Sequence, residues 1–178
     1  MRLLGGGFLA ALVIAAAAAA ATTPPLPLHV LKRPAHGYDK LPSTVKGLGA
    51  VQESRRVATA VDKKHNGYLV YVTLMKDKSL CVVLAQGRSY SARCSLPAAL
   101  FSSTTRTFSV VKGLIGGVAA DGVKKVVLVG RTTRKTLPLT SDGGYIYGCP
   151  APTNCATWVR EVLAYNAAGK LISTERTH

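Results

Sequence analysis

The fold is decided by the stretch Gly113-Leu114-Ile115-Gly116-Gly117-Val118-Ala119-Ala120-Asp121-Gly122-Val123-Lys124-Lys125-Val126-Val127-Leu128-Val129. Two apolar runs rich in β-branched residues flank its central Ala120-Asp121-Gly122. An Asp-Gly pair between such runs is a strong signal for a β-hairpin, because glycine accepts a positive φ without a Cβ clash. The stretch therefore predicts a hairpin at the centre of a β-rich core, and it indicates no catalysis or binding.

Short strand patterns separated by turn residues continue on both sides of this hairpin. They cover residues 56–61, 68–75, 79–85, 107–111, 136–140, 145–147, 157–165 and 171–173. Within the first of them, Val57, Thr59 and Val61 are expected on one face. Single helical turns are predicted at 48–54 and 96–101, and a polar loop at 86–95. The pattern predicts an all-β fold, an antiparallel sandwich or open barrel with at most one or two helical turns.

The N-terminus has the layout of a secretory signal peptide. Arg2 precedes an apolar run that reaches Ala21, and Thr22-Thr23-Pro24-Pro25 follows. A basic start, an apolar centre and a small-residue cleavage zone are typical of such signals, so cleavage is expected near Ala21 and the mature protein is expected to be secreted or extracytoplasmic. The alternative is an uncleaved helix that anchors the protein, because the run approaches the roughly 20 apolar residues that span a membrane.

Three segments follow from this reading. Residues 1–21 are the signal helix, residues 22–54 a proline-rich arm or linker, and residues 55–178 the β-rich domain. The arm has no sustained period, and its five prolines remove backbone donors and favour extended geometry. Its apolar residues indicate that part of it packs against the domain.

Export determines how the four cysteines are interpreted. An even number of cysteines in an oxidising compartment favours disulfides over catalytic thiols or metal ligands. Three pairings are formally open, and local pairing of Cys81 with Cys94 and of Cys149 with Cys155 is preferred, because each pair brackets a predicted loop. Neither pair has Cys-x-x-Cys spacing and neither loop holds a histidine, so no metal site is expected.

The formal net charge of +15 requires an explanation, because like charges repel one another in the compact state. Outside the cytoplasm the available anions are phospholipid head groups, phosphate-bearing wall polymers and acidic polysaccharides. The basic residues occur in ones and twos, and no basic stripe interleaved with aromatic residues is present, so nucleic acid is not expected. A solvated basic surface without a partner remains the alternative.

Recognisable catalytic motifs are missing from the sequence. It holds no Gly-x-Ser-x-Gly elbow, no His-Glu-x-x-His and no phosphate-binding loop. The four histidines lie in the arm, beside a turn and at the terminus, where no positioned partner is expected. A carboxylate pair such as Glu53 and Glu161 would have to meet from distant positions. The prediction is a protein that is not an enzyme and uses no cofactor.

One end of the predicted domain has the features of an interaction surface. Aromatic residues bracket the loop between Cys149 and Cys155, which two prolines stiffen, and rigid contacts lose little entropy on binding. The candidate residues are Tyr145, Tyr147, Pro150, Pro152, Asn154 and Trp158. The alternative is that the aromatic residues pack in the core.

Several segments resemble a group of uncharacterised exported bacterial proteins. They are Val30-Leu31-Lys32-Arg33-Pro34-Ala35, Asp39-Lys40-Leu41-Pro42, Arg55-Arg56-Val57-Ala58-Thr59, Ser79-Leu80-Cys81-Val82-Val83 and Asp121-Gly122-Val123. The group shares an Arg-Arg-Pro arm, an Arg-Val-Gly/Ala-Thr strand, paired cysteines and a Val-Pro-Asp-Gly-Val turn, in which this chain has Ala119-Ala120 on the Val-Pro side. The resemblance implies export and a β-rich fold, and no activity.

The expected function is therefore a non-enzymatic binding or structural module at the cell envelope, with an anionic polymer, a lipid surface or another exported protein as its partner. The alternative is a secreted inhibitor or protein-interaction domain that uses the loop from Cys149 to Cys155. An envelope hydrolase with an unfamiliar site is a third hypothesis.

Overall fold

A computed structural model describes residues 28–61, 66–95, 107–111, 113–149 and 154–176. Within these ranges eleven strands form three antiparallel sheets, so the all-β prediction is confirmed. The strands are β1 Val51–Val61, β2 Gly67–Met75, β3 Leu80–Gln86, β4 Ser89–Ser95, β5 Thr107–Val111, β6 Leu114–Val118, β7 Lys125–Val129, β8 Arg134–Leu137, β9 Gly144–Gly148, β10 Glu161–Tyr165 and β11 Leu171–Arg176. One short helix, α1 Cys155–Trp158, and 3₁₀ turns at His29–Leu31 and Gly37–Asp39 complete the elements. The helical turn expected at 96–101 lies outside the described residues.

The first sheet is a meander with the order β1-β2-β3-β4. The polar segment predicted as a loop at 86–95 is instead mostly the edge strand β4, which pairs along its length with β3. An edge strand tolerates polar side chains because one of its sides faces away from the sheet. The low apolar content of residues 89–95 therefore does not distinguish an edge strand from a loop.

β1 begins earlier and bends more than the sequence predicted. The helical turn expected at 48–54 is wrong, because Val51, Glu53 and Ser54 pair with β2. The single face expected for Val57, Thr59 and Val61 is also wrong. A bulge between Arg56 and Ala58 shifts the register, so Val57 is buried while Thr59 and Val61 are exposed.

The central hairpin is not formed. β6 pairs with β5 and β9 in one sheet, whereas β7 pairs with β8 and β10 in another. The segment around Asp121-Gly122 instead connects the two sheets, and backbone N–H groups on either side of it donate hydrogen bonds to other parts of the chain. The Ala119 N–H donates to the Gly143 carbonyl at 2.9 Å, and the Lys124 N–H donates to the Tyr165 carbonyl at 2.8 Å.

β6 nevertheless lies at the centre of the molecule, because its sheet is the middle layer of three. Leu114 and Val118 pack with the first sheet, and Ile115 packs with the sheet formed by β8, β7, β10 and β11. A Cβ on Gly116 would lie 2.7 Å from Val70 Cγ2. The small residues of β6 therefore allow the layers to approach closely.

The proline-rich arm packs against the domain on two sides. Leu28 and Val30 are buried in the core between the first two layers. Leu41, Val45 and Leu48 cover the opposite face of the first sheet. The described part of the arm is thus held along the domain, as its apolar residues indicated, and residues 51–54 belong to β1.

Both predicted disulfides are confirmed: Cys81 is bonded to Cys94 and Cys149 to Cys155. Cys81 and Cys94 lie directly opposite each other on β3 and β4. Disulfides persist in oxidising compartments, so the pair of bonds is typical of a protein that functions outside the reducing cytoplasm.

The two disulfides are expected to contribute unequally to stability. A bond that closes a longer loop removes more chain entropy from the unfolded state. Their sequence separations are 13 and 6 residues. Replacing both Cys81 and Cys94 by alanine should lower the free energy of unfolding by about 3 kcal/mol, and replacing both Cys149 and Cys155 by about 2 kcal/mol. Urea unfolding of the two variants checks the order, and a larger loss from the second pair would contradict it.

Candidate interaction surface

The aromatic surface predicted beside the second disulfide is only partly present. Tyr145 is 1% exposed and packs in the core between the middle and third sheets, so its assignment to a surface is wrong. β9 belongs to the middle layer, and a large side chain on it is covered from one side by the third sheet. Pro150 and Pro152 lie outside the described residues.

Tyr147, Trp158 and Asn154 do lie together near that disulfide. The Tyr147 and Trp158 rings are both half-buried, with centroids 5.9 Å apart. Asn154 is exposed, and its side chain accepts a hydrogen bond from the Ala156 N–H, which caps α1. The strand predicted from Thr157 therefore begins only at Glu161.

A second constellation, which the sequence did not predict, links the arm to β1. Arg33 donates two parallel hydrogen bonds to Asp39, at 2.7 and 2.9 Å, and a third to Asp142 at 3.2 Å. Its guanidinium also donates to the Arg56 carbonyl at 3.3 Å. Bidentate pairs of this kind fix geometry as well as adding energy, so Arg33 holds the arm against two parts of the domain.

Asp39 is the buried centre of this constellation, with 2% of its surface exposed. In addition to Arg33, it accepts hydrogen bonds from the His36 and Arg56 N–H groups, each at 2.8 Å. Burial disfavours the charged carboxylate, but the Arg33 hydrogen bond and the two N–H donors outweigh it and hold the pKa of Asp39 well below its ordinary 3.8. Asp39 therefore stays ionised inside the protein.

The same contacts cover part of the outer edge of β1. The Arg56 N–H and carbonyl both bind arm side chains, and the Val57 carbonyl accepts from the Thr140 hydroxyl at 2.6 Å. Arg55, which is also buried, donates to the Arg33 carbonyl at 3.0 and 3.2 Å. Unpaired strand edges promote association between chains, so the arm protects this half of β1.

Tyr38 stands on the outside of the constellation, 47% exposed. The Arg56 guanidinium carbon lies 4.5 Å from the centre of its ring, and the His36 ring stacks on it with centroids 5.1 Å apart. A guanidinium above an aromatic ring is held by the electron-rich face, and its N–H groups stay available at the edge.

The charges around Tyr38 do not balance. The nearby carboxylates Asp39, Asp142 and Glu53 are paired with Arg33 or Arg55. Among the described residues, no carboxylate oxygen lies within 4.0 Å of the Arg56 guanidinium or of the ammonium groups of Lys32 and Lys40, which are exposed on the same arm. We call Tyr38, the Arg56 guanidinium over its ring and the exposed arm residues Lys32 and Lys40 the Tyr38 surface.

His29 has positioned hydrogen-bonding partners for its ring, contrary to the expectation from sequence. Its Nδ1 lies 2.6 Å from Asp121 Oδ1, and its Nε2 lies 2.8 Å from the Ser141 carbonyl oxygen. A catalytic base needs one free ring nitrogen to accept a proton. Both nitrogens of His29 face acceptors, so this pair supports a structural role.

The parts of the chain that the structure describes contain no group of three or more metal-ligating side chains and no helix long and apolar enough to cross a membrane. No family model matches the chain, and no curated protein or solved structure matches it either.

Proposed function

We propose that this protein is exported and binds an anionic polymer of the cell envelope through the Tyr38 surface, without catalysing a reaction. Export is supported by the signal-like N-terminus and is consistent with the two disulfides. Cleavage near Ala21 would leave a mature chain that begins near Thr22.

The observation that carries the proposal is the Arg56 guanidinium held over the exposed Tyr38 ring. Among the described residues it has no carboxylate partner, although the neighbouring Arg33 and Arg55 are both paired. An arginine in this position is preorganised to donate two parallel hydrogen bonds to a phosphate or carboxylate group. Preorganisation reduces the entropy that is lost when a ligand binds.

A polymer with repeating anionic groups would also be attracted by the positive net charge of the whole chain. The net charge of +15 would favour encounter with a negative polymer and make the binding depend on salt. The Tyr38 surface would add a defined contact to this general attraction, because the ring and the guanidinium are fixed to a folded arm.

The test measures binding of the mature chain to fluorescently labelled poly(glycerol phosphate) by anisotropy, at low and high salt. Arg56→Gln should weaken binding about ten-fold, because a charge-assisted hydrogen-bonding group is lost. Tyr38→Leu should weaken it less, since the charge remains but the ring that holds it is gone.

The matched control is Lys170→Gln, which removes one positive charge from an exposed residue in the turn between β10 and β11. It should change binding little. Equal losses for Arg56→Gln and Lys170→Gln would mean that only net charge matters and that the Tyr38 surface is not the site. If the wild-type chain does not bind at low salt, the proposed function is wrong.

A further inference from the structure

His29 joins the arm to two turns, each of which connects the middle sheet to the third sheet. Its Nδ1 faces Asp121 in the turn between β6 and β7, and its Nε2 faces the carbonyl of Ser141 in the turn between β8 and β9. The His29 N–H also donates to both carboxylate oxygens of Asp121, at 2.9 and 3.0 Å. One residue therefore fixes the position of the arm relative to both turns.

Only the protonated ring can make both side-chain bonds at once. A backbone carbonyl accepts hydrogen bonds and never donates, and an ionised carboxylate does the same. A neutral imidazole carries one N–H, so it can satisfy either Asp121 or Ser141. The observed geometry is complete when both ring nitrogens carry hydrogen.

The electrostatic environment of His29 also favours the protonated ring. The hydrogen bond to Asp121 raises the pKa of His29 above its ordinary 6.5, partial burial opposes this, and the Ser141 carbonyl and the charge of Asp142 raise it further. Arg33 is the cation on the arm beside this group, and it is bonded to Asp142 at 3.2 Å. Because the folded-state pKa is raised, the stabilisation is present below pH 6.5 and is lost as pH rises through the folded value.

The residues on either side of His29 connect this contact to the Tyr38 surface. Leu28 and Val30 are buried in the core, with 1% and 0% of their surfaces exposed. Arg33 lies four residues after His29 and donates hydrogen bonds to Asp39. Asp39 in turn accepts a hydrogen bond from the backbone N–H of Arg56. Loosening the arm at His29 would therefore also loosen the contacts that position the Tyr38 ring and the Arg56 guanidinium.

We propose that His29 is a proton-dependent latch, which holds arm residues 28–41 against the domain when protonated and loosens them when it loses a proton. Its consequence for ligand binding rests on the proposed function: the affinity of the Tyr38 surface for an anionic polymer should fall as the latch opens. The attachment of the arm itself does not depend on any ligand.

The arm is tested by hydrogen exchange of the mature chain, followed by mass spectrometry and corrected for the intrinsic effect of pH on exchange. In the wild type, protection of residues 28–41 should fall about two- to five-fold as pH rises from 6.5 to alkaline values, the size expected for a half-exposed ion pair. Residues 80–86 of β3, in the core, should show no such step.

His29→Gln should have the lower protection at every pH and no step. Asp121→Asn should move the step to lower pH, because the charge that favours the protonated ring is gone, and it serves as the second variant if His29→Gln does not fold. His36→Gln, which changes a histidine outside the latch, should keep the wild-type step. A step of the same size in wild type and His29→Gln would overturn the proposal, as would no step in the wild type.

Binding of poly(glycerol phosphate) as a function of pH separates this inference from the proposed function. In one outcome the exchange step is present, and the wild type binds the polymer more weakly at pH values above the step, whereas His29→Gln shows no such change. That outcome supports both the latch and the proposed function. If the exchange step is present and the polymer does not bind at any pH, the latch stands and the proposed function is wrong.

Discussion

Replacing Gly144 with alanine is expected to lower the free energy of unfolding by at least about 4 kcal/mol, a loss large enough to prevent folding under many conditions. A Cβ at this position would lie 2.2 Å from the Val57 carbonyl oxygen and 2.4 Å from its carbon. Both are backbone atoms of β1, so the contact cannot be relieved by turning a side chain. The contact could be relieved only if β9 separated from β1. The Thr140 hydroxyl also donates a hydrogen bond to this Val57 carbonyl.

Gly148→Ala is the matched control, because it makes the same chemical change at the other end of β9. There the new Cβ would lie 3.6 Å from Leu114 Cδ2, an ordinary van der Waals distance. Soluble yield and urea unfolding should show Gly148→Ala close to wild type and Gly144→Ala severely destabilised. Equal stability of the two variants would contradict the close approach of β9 and β1.

Asp39→Asn should cost about 3 kcal/mol of stability at neutral pH, because removing one partner of a buried ion pair leaves the other charge poorly compensated. Arg33 would keep its contact with Asp142, which limits the loss. The variant should also change the response to acid. Since the pKa of Asp39 is lowered in the folded protein, its stabilisation is present above the ordinary value of 3.8 and disappears as pH falls.

Urea unfolding at neutral and acidic pH measures both effects. The difference between wild type and Asp39→Asn should be largest at neutral pH and should shrink in acid. Asp77→Asn is the control, since Asp77 lies exposed in the turn between β2 and β3 and accepts local hydrogen bonds from Ser79. A loss from Asp77→Asn as large as that from Asp39→Asn would show that the buried network has no special importance.

Local signals were sufficient for much of the fold. Alternating and β-branched runs placed most strands, and the even cysteine count with short separations led to both disulfides. The hairpin at Asp121-Gly122 was wrong for a physical reason. A turn dipeptide shows where the chain reverses, whereas hydrogen bonds to other strands decide whether the flanking segments pair, and here β6 and β7 pair in different sheets.

The hydrogen bonds that hold the arm against the turns could not be predicted in the same way, because they join residues that are far apart in sequence. His29 and Asp121 are separated by 92 residues, and Arg33 and Asp142 by 109. No short window contains both members of such a pair.

The buried arm also explains why a positive protein retains carboxylates where it does. With 8 acidic residues against 23 lysines and arginines, each carboxylate is scarce. Asp39, Asp121 and Asp142 all hold the arm through Arg33 or His29. Among the described residues, Lys32, Lys40 and the Arg56 guanidinium have no carboxylate partner, and the proposed anionic ligand would bind these groups.

We expect the protein to work outside the cytoplasm as a disulfide-bonded binding domain, which is the proposal on which the others depend. Its most direct test is mass spectrometry of the native protein, recovered from fractionated cells and treated with a thiol-alkylating reagent before reduction. We expect an extracytoplasmic protein whose N-terminus lies near Thr22 and whose four cysteines are unmodified by the reagent. A cytoplasmic protein with an intact N-terminus and four alkylated cysteines would contradict it.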